Sequence, residues 1–552
     1  MALFLRKARA LFGAAAVGAA MSACYNAGGG SDPPLKSLYF PVGMSVSPDG
    51  QWLVVINSDF DLQYNGGTLQ TYNLQGIRTD ALNTIAGAGG CATEPAPNGL
   101  LGLACARPLD AGPGVYWQDP IAYWKDGVVV GAFATDLLQL SFPGWQNAMP
   151  DTTRLFAPTR GTTAVLFANL ALGDAGLSCA GEDEQHRCGV AANVGSDPNA
   201  LHDTRNVVLS GEPFGIAQVD DGTAFVVTSE SDTTTSVFTS GISVQPSTDG
   251  GEPPLPVIPP VNDPSAPTLE YVLGGLPAAG TGIAEIPHDP KAWPTCGPSQ
   301  ALGCVRPAFL ETNHSTAEID LLRYYSDDGS GELLGAGRPF LQREGVFPLT
   351  ATTGSDARGI VIDDSARSIC RTNAAQSGTD DTSCGYLPAS VFIASRTPPG
   401  LLLGQVGNGG SPDALSIQGT VPLPAGPSKV YRAPVIDAHG NFSLRIFVAC
   451  FDSNIVVVYD PATQLWDTIH VGSGPFAMAF DPFPESCWGQ NRNTCPVQPS
   501  GLNPQSYRFA YVASFTQSFI EVIDLDNSQS AVPSTYESIV YAVGQPTLPK
   551  GQ

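Results

Sequence analysis

The sequence predicts an all-β fold assembled from about seven copies of one strand-rich unit. Glycine and proline contribute 61 and 48 of the 552 residues, which is about one residue in five. That density of turn-forming residues favours many short strands joined by tight turns. Few windows outside the N-terminus show the 3.6-residue period of an amphipathic helix. Hydrophobic residues make up 43% of the chain, which is ample for a sizeable core.

The unit is clearest between residues 426 and 461. Gly426-Pro427 precedes a first strand, and the turn Asp437–Gly440 leads to an apolar second strand at Ile446–Ala449. A third strand, Ile455–Tyr459, is closed by Asp460-Pro461. Turn residues placed between short apolar runs are typical of antiparallel strands. Because the third strand is almost wholly apolar, we expect both of its faces to be buried.

Further copies are recognised by the same starting and turn residues. The first has the turn Ser47-Pro48-Asp49-Gly50, which is followed by the strand Trp52–Asn57. A degenerate second copy is predicted at Asp119–Phe142, with Asp126-Gly127 as its turn, and Leu155–Arg160 either completes it or begins another. The other copies begin at Gly211-Glu212-Pro213, Thr281-Gly282, Ser355-Asp356, Gly426-Pro427 and Gly474-Pro475. The count is seven, with six or eight as alternatives.

The first copy resembles the YVTN-type β-propeller repeat of surface-layer and lactonase-like proteins, through its Pro-Asp-Gly turn and the strand that ends at Asn57. The resemblance covers most of residues 36–546 and is strongest in the first, sixth and seventh copies. It implies four-stranded blades in a ring, where each blade buries its faces against its neighbours. We expect Leu38–Phe40 and Ile539–Val543 to pair within or beside the last blade. A β-helix or a pair of sandwiches is the competing fold.

Domain boundaries follow from this resemblance and from composition. Residues 36–546 are predicted to form one propeller domain with loop insertions, and residues 547–552 a C-terminal tail. The stretch 245–267 is too rich in proline for a central strand, so it is an excursion between blades.

The first 23 residues have the features of an export signal that is removed from the mature protein. A basic segment at 6–9 precedes an apolar run at 11–20, which is too short to span a bilayer. Met21-Ser22-Ala23-Cys24 resembles the bacterial lipobox, which implies that Cys24 is lipidated. Residues 24–35 then form a flexible tether. An ordinary signal peptide with an incidental cysteine, or a mitochondrial presequence, is the alternative.

The residue after the lipobox cysteine indicates the destination. Aspartate at this position commonly retains lipoproteins in the inner membrane, so Tyr25 implies the outer membrane by the same resemblance. We expect a bacterial outer-membrane lipoprotein, held by its N-terminal lipid, on the periplasmic side or at the cell surface. The formal net charge of −25 would repel nucleic acid, so no nucleic-acid partner is expected.

Ten of the remaining cysteines form five close couples, each bracketing a loop rich in glycine, proline or small polar residues. Five local disulfides, and therefore an oxidising compartment, are the economical interpretation. Zinc is disfavoured because CxxC spacings are absent and the six histidines are not grouped. The leftover Cys450 is predicted to be a buried, unpaired thiol. The couples are Cys91 and Cys105, Cys179 and Cys188, Cys296 and Cys304, Cys370 and Cys384, and Cys487 and Cys495.

No motif assigns a reaction. The sequence contains no nucleophile elbow on a strand-to-helix turn, no phosphate-binding P-loop and no HExxH zinc motif. No cofactor is therefore predicted, although clustered carboxylates in loops could bind Ca²⁺ if they are not simply solvated. These clusters are Glu182-Asp183-Glu184, Asp327-Asp328 and Asp380-Asp381.

Two classes of function remain. The first is a noncatalytic binding or scaffold module whose loop-rich rims face another envelope protein or a glycan. The alternative is an extracytoplasmic enzyme, lactonase-like or redox, with a site in the central channel. Its candidate residues are His288, Glu311, Arg358 and His439. A cytochrome- or copper-associated role is disfavoured because there is no CxxCH motif and no histidine in each copy.

Overall fold

Seven four-stranded antiparallel sheets surround a central channel in the computed structural model of the chain. The prediction of a seven-bladed, all-β propeller is confirmed. The structure describes residues 30–89, 116–142, 149–196, 207–244, 256–263, 266–294, 296, 304–326, 339–349, 354–407, 411–528 and 538–547.

The first three blades have the following strands, from the channel outwards. Blade 1 contains β1 (Pro41–Val46), β2 (Trp52–Asn57), β3 (Gly67–Asn73) and β5 (Trp124–Val130). Blade 2 contains β6 (Leu138–Gln139), β7 (Thr152–Thr159), β8 (Ala164–Ala171) and β10 (Asn193–Val194), and β9 (Leu177–Ser178) also pairs with β8. Blade 3 contains β11 (Pro213–Gln218), β12 (Ala224–Ser229), β13 (Thr234–Thr239) and β16 (Thr268–Gly274). Between the last two strands of blade 3, β14 (Ser243–Val244) pairs with β15 (Pro256–Val257).

The other four blades follow the same order. Blade 4 contains β17 (Gly280–Glu285), β18 (Ala308–Asn313), β19 (Glu318–Tyr325) and β20 (Phe340–Pro348). Blade 5 contains β21 (Ala357–Asp363), β22 (Ala389–Arg396), β23 (Pro399–Val406) and β24 (Leu415–Pro422). Blade 6 contains β25 (Pro427–Ile436), β26 (Phe442–Cys450), β27 (Ile455–Asp460) and β28 (Leu465–His470). Blade 7 contains β29 (Pro475–Phe480), β30 (Phe509–Ser514), β31 (Phe519–Asp524) and β32 (Ser538–Val543), with β4 (Trp117–Gln118) as a fifth strand.

The core lies between neighbouring blades, which explains the apolar middle strands. Every residue of β12 is buried, and so are five of the six residues of β27. Between blades 2 and 3, the Phe156 ring lies 4.2 Å from Phe225, which stacks on Phe238 at 5.0 Å. Rings at these separations add to the stabilisation from burial. The sheets are therefore held together mainly by apolar contacts between blades.

The ring is closed differently from the prediction. Ile539–Val543 lies in β32 as expected, but Leu38–Phe40 forms no strand. Instead β4 pairs in parallel with β32, with Trp117 opposite Ala542. The chain leaves blade 1 after β3, forms the helix Leu74–Gly89 beside blade 7, adds β4 there, and returns to blade 1 as β5. The insertion of blade 1 therefore supplies the strand that pairs with the last blade, while the N-terminal segment lies beside that blade, where the Phe40 N–H donates to Ser518 Oγ at 3.2 Å.

The predicted second copy was misplaced. Asp126-Gly127 lies inside β5, the outer strand of blade 1, instead of forming a turn. The span Asp119–Phe142 therefore crosses from the end of blade 1 to the first strand of blade 2. The insertion between β3 and β5 separates the fourth strand of blade 1 from the other three, so its apolar run resembles the beginning of a new copy. Leu155–Thr159 belongs to β7 of blade 2.

Four of the five predicted cysteine couples form disulfides. They are Cys179–Cys188, Cys296–Cys304, Cys370–Cys384 and Cys487–Cys495. The fifth couple, Cys91 and Cys105, lies outside the described residues, as does Cys24. Several disulfides in one chain indicate an extracytoplasmic protein. In the part of the chain that the structure describes, no helix has the length and apolar character needed to cross a membrane.

Cys450 ends β26 and forms no disulfide. Its side chain is fully buried. Burial, with a smaller contribution from the nearby Asp452 carboxylate, raises the pKa of this thiol to about 12. The thiol therefore stays protonated at neutral pH and is a poor nucleophile.

Candidate functional site

The two faces of the ring differ because all seven inner strands run in the same direction. We call the face where they begin the upper face and the face where they end the lower face. Alternation of strand direction places the connections between second and third strands at the upper face. It places the connections between first and second strands at the lower face.

A cavity of about 420 Å³ occupies the channel at the upper face. We call it the upper cavity. It is lined by residues at or just before the start of the inner strands and by connections between second and third strands. Every blade contributes, and blade 4 does so only through Thr281–Ile283 of its inner strand. Phe60, which lines it, is 49% exposed, so the cavity is accessible from solvent on that side.

One structurally equivalent position in each blade forms a rim at the upper end of the channel, and six of the seven residues there line the cavity, the exception being His314. In every blade, the backbone N–H at this position donates to a carbonyl oxygen at the start of the inner strand, over 2.8 to 3.1 Å. The shared hydrogen bond fixes seven backbone positions in a ring while leaving each side chain variable. The seven rim residues are Ser58, Arg160, Glu230, His314, Arg396, Phe451 and Phe515.

Close approach of the inner strands narrows the channel below the rim. A Cβ added to Gly282 would lie 2.2 Å from the Arg358 carbonyl oxygen, and one added to Gly215 would lie 2.5 Å from the Thr281 carbonyl oxygen. Only glycine fits at such distances. Both glycines lie three residues after the carbonyl group that accepts the rim hydrogen bond, in what we call the inner segment of the blade. In blades 2 and 6 the residues at this position are Asp136 and Lys429. Their side chains form an ion pair of 2.9 Å between Nζ and Oδ1.

Charged side chains occupy the arc of the cavity formed by blades 2 to 6. Arg160 pairs with Glu230 at 2.9 Å and also with Glu212. Arg358 uses its Nε to bind Asp356 Oδ1 at 2.6 Å. The remaining cation of the rim, Arg396, uses Nη2 to bind Asp452.

Aromatic side chains occupy the opposite arc, in blades 6, 7, 1 and 2. The Phe60 ring lies 5.4 Å from Phe515 and 6.0 Å from Phe133. Phe515 in turn lies 5.7 Å from Phe476 and 6.0 Å from Phe451. At the border with the charged arc, Lys429 Nζ lies 4.9 Å from the centroid of the Phe476 ring. The cavity therefore has one charged side and one apolar side.

The lower end of the channel has the opposite electrostatic character. Arg432 on β25 pairs with Asp363, Asp364 and Glu485 at 3.0, 3.3 and 3.2 Å. Glu285, at the end of β17, accepts the N–H of Asp220 at 3.0 Å.

Burial, followed by repulsion from the Asp220 carboxylate, raises the pKa of Glu285 well above its ordinary value. The lower end of the channel thus has one arginine, Arg432, and five carboxyl groups, those of Asp220, Glu285, Asp363, Asp364 and Glu485. The cations of the channel are concentrated at its upper end.

Only one of the four predicted channel candidates reaches the upper cavity, namely Arg358. Glu311 is buried in β18, where it accepts a hydrogen bond from Thr235 Oγ1 at 2.6 Å. His288 lies below its blade and pairs with Asp413 at 2.7 Å. His439 is exposed in the turn between β25 and β26. These three residues therefore do not line the upper cavity, because Glu311 lies on a second strand and the two histidines lie in connections at the lower face.

Several cavity residues were missed. Arg160, Arg396 and Lys429 follow ordinary strand or turn residues, and no motif distinguishes them. One signal was available: Arg160 follows Thr159 as Glu230 follows Ser229 and His314 follows Asn313. Aligning the copies on the last residue of the second strand would have revealed the rim.

The disulfide-bearing insertions lie mainly at the lower face. Cys296–Cys304, Cys370–Cys384 and Cys487–Cys495 are all in connections between a first and a second strand. The fourth disulfide, Cys179–Cys188, pins a loop along the outer edge of blade 1, where the Cys188 N–H donates to the Val129 carbonyl at 3.0 Å.

The acidic loops considered for Ca²⁺ already have protein partners. Glu182 pairs with His186 at 2.9 Å, and Asp381 pairs with Lys291 at 3.0 Å. Asp380 accepts from Thr382 Oγ1 at 2.7 Å. Asp327-Asp328 lies outside the described residues. Within the described ranges, no group of three or more His, Cys, Asp or Glu side chains is arranged to hold a metal ion.

Comparisons with known proteins show distant likeness of fold. No known protein family and no curated protein matches the sequence. A candidate 6-phosphogluconolactonase from Bacteroides uniformis is similar with 13% identity and a TM-score of 0.42, over 82% of this chain and 92% of that one. The hydrazine synthase of Kuenenia stuttgartiensis has 10% identity and a TM-score of 0.41, over 91% and 99%. The periplasmic gluconolactonase of Pseudomonas aeruginosa has 11% identity and a TM-score of 0.38, over 79% and 86%.

Proposed function

We propose that this protein is a noncatalytic binding module of the bacterial envelope. Its binding site is the upper cavity, and lipidated Cys24 anchors it to the outer membrane. The lower face, with its three disulfide-pinned insertions, is the surface that meets an envelope protein or a glycan. The observation that carries the proposal is the preorganised lining of the upper cavity.

That preorganisation is seen in the cations. Arg160, Arg358, Arg396 and Lys429 each have a carboxylate partner on their own or another blade. Side chains fixed before binding lose less conformational entropy when a ligand arrives. Of the lining hydroxyls, that of Ser428 donates to the Ala449 carbonyl oxygen at 3.0 Å rather than to a base. The lining is thus suited to recognition.

The proposal is tested with a photo-crosslinking amino acid in intact cells. Phe60→p-benzoylphenylalanine places the probe in the upper cavity, and Tyr386→p-benzoylphenylalanine places it on the lower insertion of blade 5. The matched control is Val190, which is 72% exposed just after the Cys179–Cys188 loop. We expect discrete adducts at positions 60 and 386 that are absent at 190. Equal labelling at all three positions would contradict a dedicated site.

The anchor has its own test, which is metabolic labelling with palmitate. The wild type is expected to incorporate label, and Cys24→Ala is expected to lose it together with its outer-membrane fractionation. Equal labelling of both proteins would remove the anchor from the proposal.

A second candidate function is hydrolysis in the channel, and His314 favours it. Burial, and then the nearby Arg358 charge, lower the pKa of this rim histidine, so its imidazole is neutral at pH 7 and could accept a proton. Mass analysis of small molecules released from the wild type and from His314→Gln separates the two candidates. Binding predicts an unchanged ligand in both, whereas hydrolysis predicts a cleaved product that only the wild type releases.

A further inference from the structure

We propose that the ligand of the upper cavity is an aromatic carboxylate, bound with its anionic group against Arg358 and Arg396 and its ring against the phenylalanine arc. This inference rests on the proposed binding function and adds the chemical class of the ligand. It follows from the division of the cavity into a charged side and an apolar side.

The two arginines of blade 5 retain donors for a ligand. Arg358 binds Asp356 through Nε alone, so neither of its terminal Nη groups has a partner among the described residues. Arg396 binds Asp452 through Nη2, which leaves its Nη1 and Nε without partners in the same part of the chain. The two Nη groups of Arg358 share one edge of the guanidinium, so they can bind a carboxylate through two parallel hydrogen bonds. The Nη1 and Nε of Arg396 lie on different edges, so each can donate a single hydrogen bond. The existing carboxylate partners hold both guanidinium groups in place.

The unused guanidinium donors of the lining, rather than its net charge, favour an anion. Four cationic side chains line the upper cavity, and they are paired with five carboxylates, Asp136, Glu212, Glu230, Asp356 and Asp452. Donors without an acceptor among the described residues remain on Arg358 and Arg396, and an anionic group is what such donors bind. At the lower end, Asp363, Asp364 and Glu485 outnumber Arg432 and would repel an anion, so the anionic group is held at the upper end.

The opposite arc requires an apolar, flat partner. Phe60 is 49% exposed, so part of its ring is available to a ligand in the cavity. The rings of Phe60, Phe515 and Phe476 form a continuous wall with centroid distances of 5.4 and 5.7 Å. Another aromatic ring would pack on such a wall in a stacked or edge-to-face arrangement.

The volume of the upper cavity and the polarity of its lining limit the size and the chemistry of the ligand. A cavity of about 420 Å³ holds a ligand of one or two rings with one anionic group. A fully polar anion would leave the phenylalanine wall uncovered, and a neutral aromatic compound would leave the Arg358 donors without an acceptor. An aromatic carboxylate satisfies both sides at once.

The test is calorimetric titration of the mature, disulfide-bonded protein with three probes. These are 2-naphthoate, the neutral 2-naphthalenemethanol with the same rings, and acetate with the same anionic group. We expect 2-naphthoate to bind at least about 10-fold more tightly than either of the others, because a charge-assisted pair and ring burial each contribute. Equal affinity of the neutral probe would overturn the proposal.

Variants test the charged side and the apolar side of the cavity separately. Arg358→Gln should weaken 2-naphthoate about 10-fold and leave the neutral probe unchanged, whereas Phe60→Ala should weaken both ring-bearing probes by similar factors. Arg396→Gln is the second cationic variant, should Arg358→Gln fail to fold. Lys291→Gln, whose side chain is 63% exposed, is the control and should change nothing. A preference for 2-naphthoate that survives both arginine variants would contradict the assigned orientation.

The failure of this inference is distinguishable from failure of the proposed function. Adducts from the probe at Phe60, combined with no binding of 2-naphthoate, would leave a binding cavity with another ligand class. Absence of both would remove the binding function itself.

Discussion

Lys429 and Asp136 join blades 6 and 2 through an ion pair of 2.9 Å within the channel. Both stand where the inner segments of blades 1, 3, 4 and 5 have glycine, because there the neighbouring chain approaches too closely for a side chain. The pair therefore marks the sector of the channel that is wide enough to hold side chains. It also forms the border between the charged arc and the aromatic arc, since Lys429 lies over the Phe476 ring.

Breaking this pair should lower stability in a way that depends on the partner. Lys429→Met leaves the Asp136 carboxylate without its cation, and we expect it to reduce the free energy of unfolding by about 1 to 2 kcal/mol. The double variant with Asp136→Asn should lose less than the sum of the single variants. Urea unfolding measures this coupling, and additive effects would show that the pair contributes nothing.

The blade pattern was predictable because turns have strong local signatures. Gly-Pro before β25 and β29, and Ser47–Gly50 before β2, mark the strand boundaries through backbone conformations that few other residues adopt. The second blade was misplaced in the prediction because the insertion between β3 and β5 interrupts the regular spacing of strands and turns. Local chemistry identifies an antiparallel unit, but not a strand that returns to its sheet after a long excursion.

The cavity was much less predictable. The rim residues share a hydrogen bond and a place in the ring, but their side chains include serine, arginine, glutamate, histidine and phenylalanine. Their common feature is backbone register, which pairing between distant strands creates. Arg358 was identified as a candidate, yet its neighbour in space, Arg396, lies at the end of a different strand.

A buried ion pair connects the closing insertion to the last blade. Arg78, on the helix Leu74–Gly89, binds Asp481 at 2.6 Å, and the Asp481 side chain has no solvent exposure. Burial alone would lower the pKa of Arg78, but the Asp481 charge, the influence of Tyr511 and the hydrogen bonds to both residues together outweigh burial, and the pKa is raised. Asp481 also accepts from the hydroxyl of Tyr511 at 3.0 Å.

Removing that arginine should open the ring at its seam. We expect Arg78→Met to lower the free energy of unfolding by about 3 to 5 kcal/mol, because it leaves a buried charge uncompensated. Hydrogen exchange should rise first in β32 and β4. The control is Arg187→Met, which removes a more exposed ion pair with Asp32 at 2.7 Å and should cost less than about 1 kcal/mol. Uniform exchange across all blades in Arg78→Met would contradict a local seam.

Cys450 is predicted to be inert in the native protein. Its thiol is fully buried, and burial raises its pKa to about 12. Iodoacetamide at pH 8 should therefore leave Cys450 unmodified for hours, and modify it rapidly once guanidinium unfolds the chain. Peptide mass spectrometry follows the reaction. Rapid modification of the folded protein would show that β26 opens readily or that the thiol is reactive.

Two buried carboxyl groups should make the protein less stable as the pH rises. Burial raises the pKa of Glu311 and of Glu521 to about 8, from an ordinary value of 4.5. Between these values the folded chain keeps both protons and the unfolded chain loses them, so the unfolded state gains relative stability with increasing pH. Below pH 4.5 both states are protonated, and above pH 8 both are ionised. The stability should therefore decline across the window from 4.5 to 8 and then level off.

The glutamine variants isolate this contribution. Glu311→Gln and Glu521→Gln keep the size of the side chain and its hydrogen-bonding capacity but cannot ionise. At pH 8 each should exceed the wild type by about 2 to 4 kcal/mol in the free energy of unfolding, and at pH 4.5 the difference should be small. Glu182→Gln, at an exposed loop, is the control and should not alter the slope. A wild type whose urea midpoint is flat from pH 5 to 8 would mean that these carboxyl groups are already ionised in the folded ring.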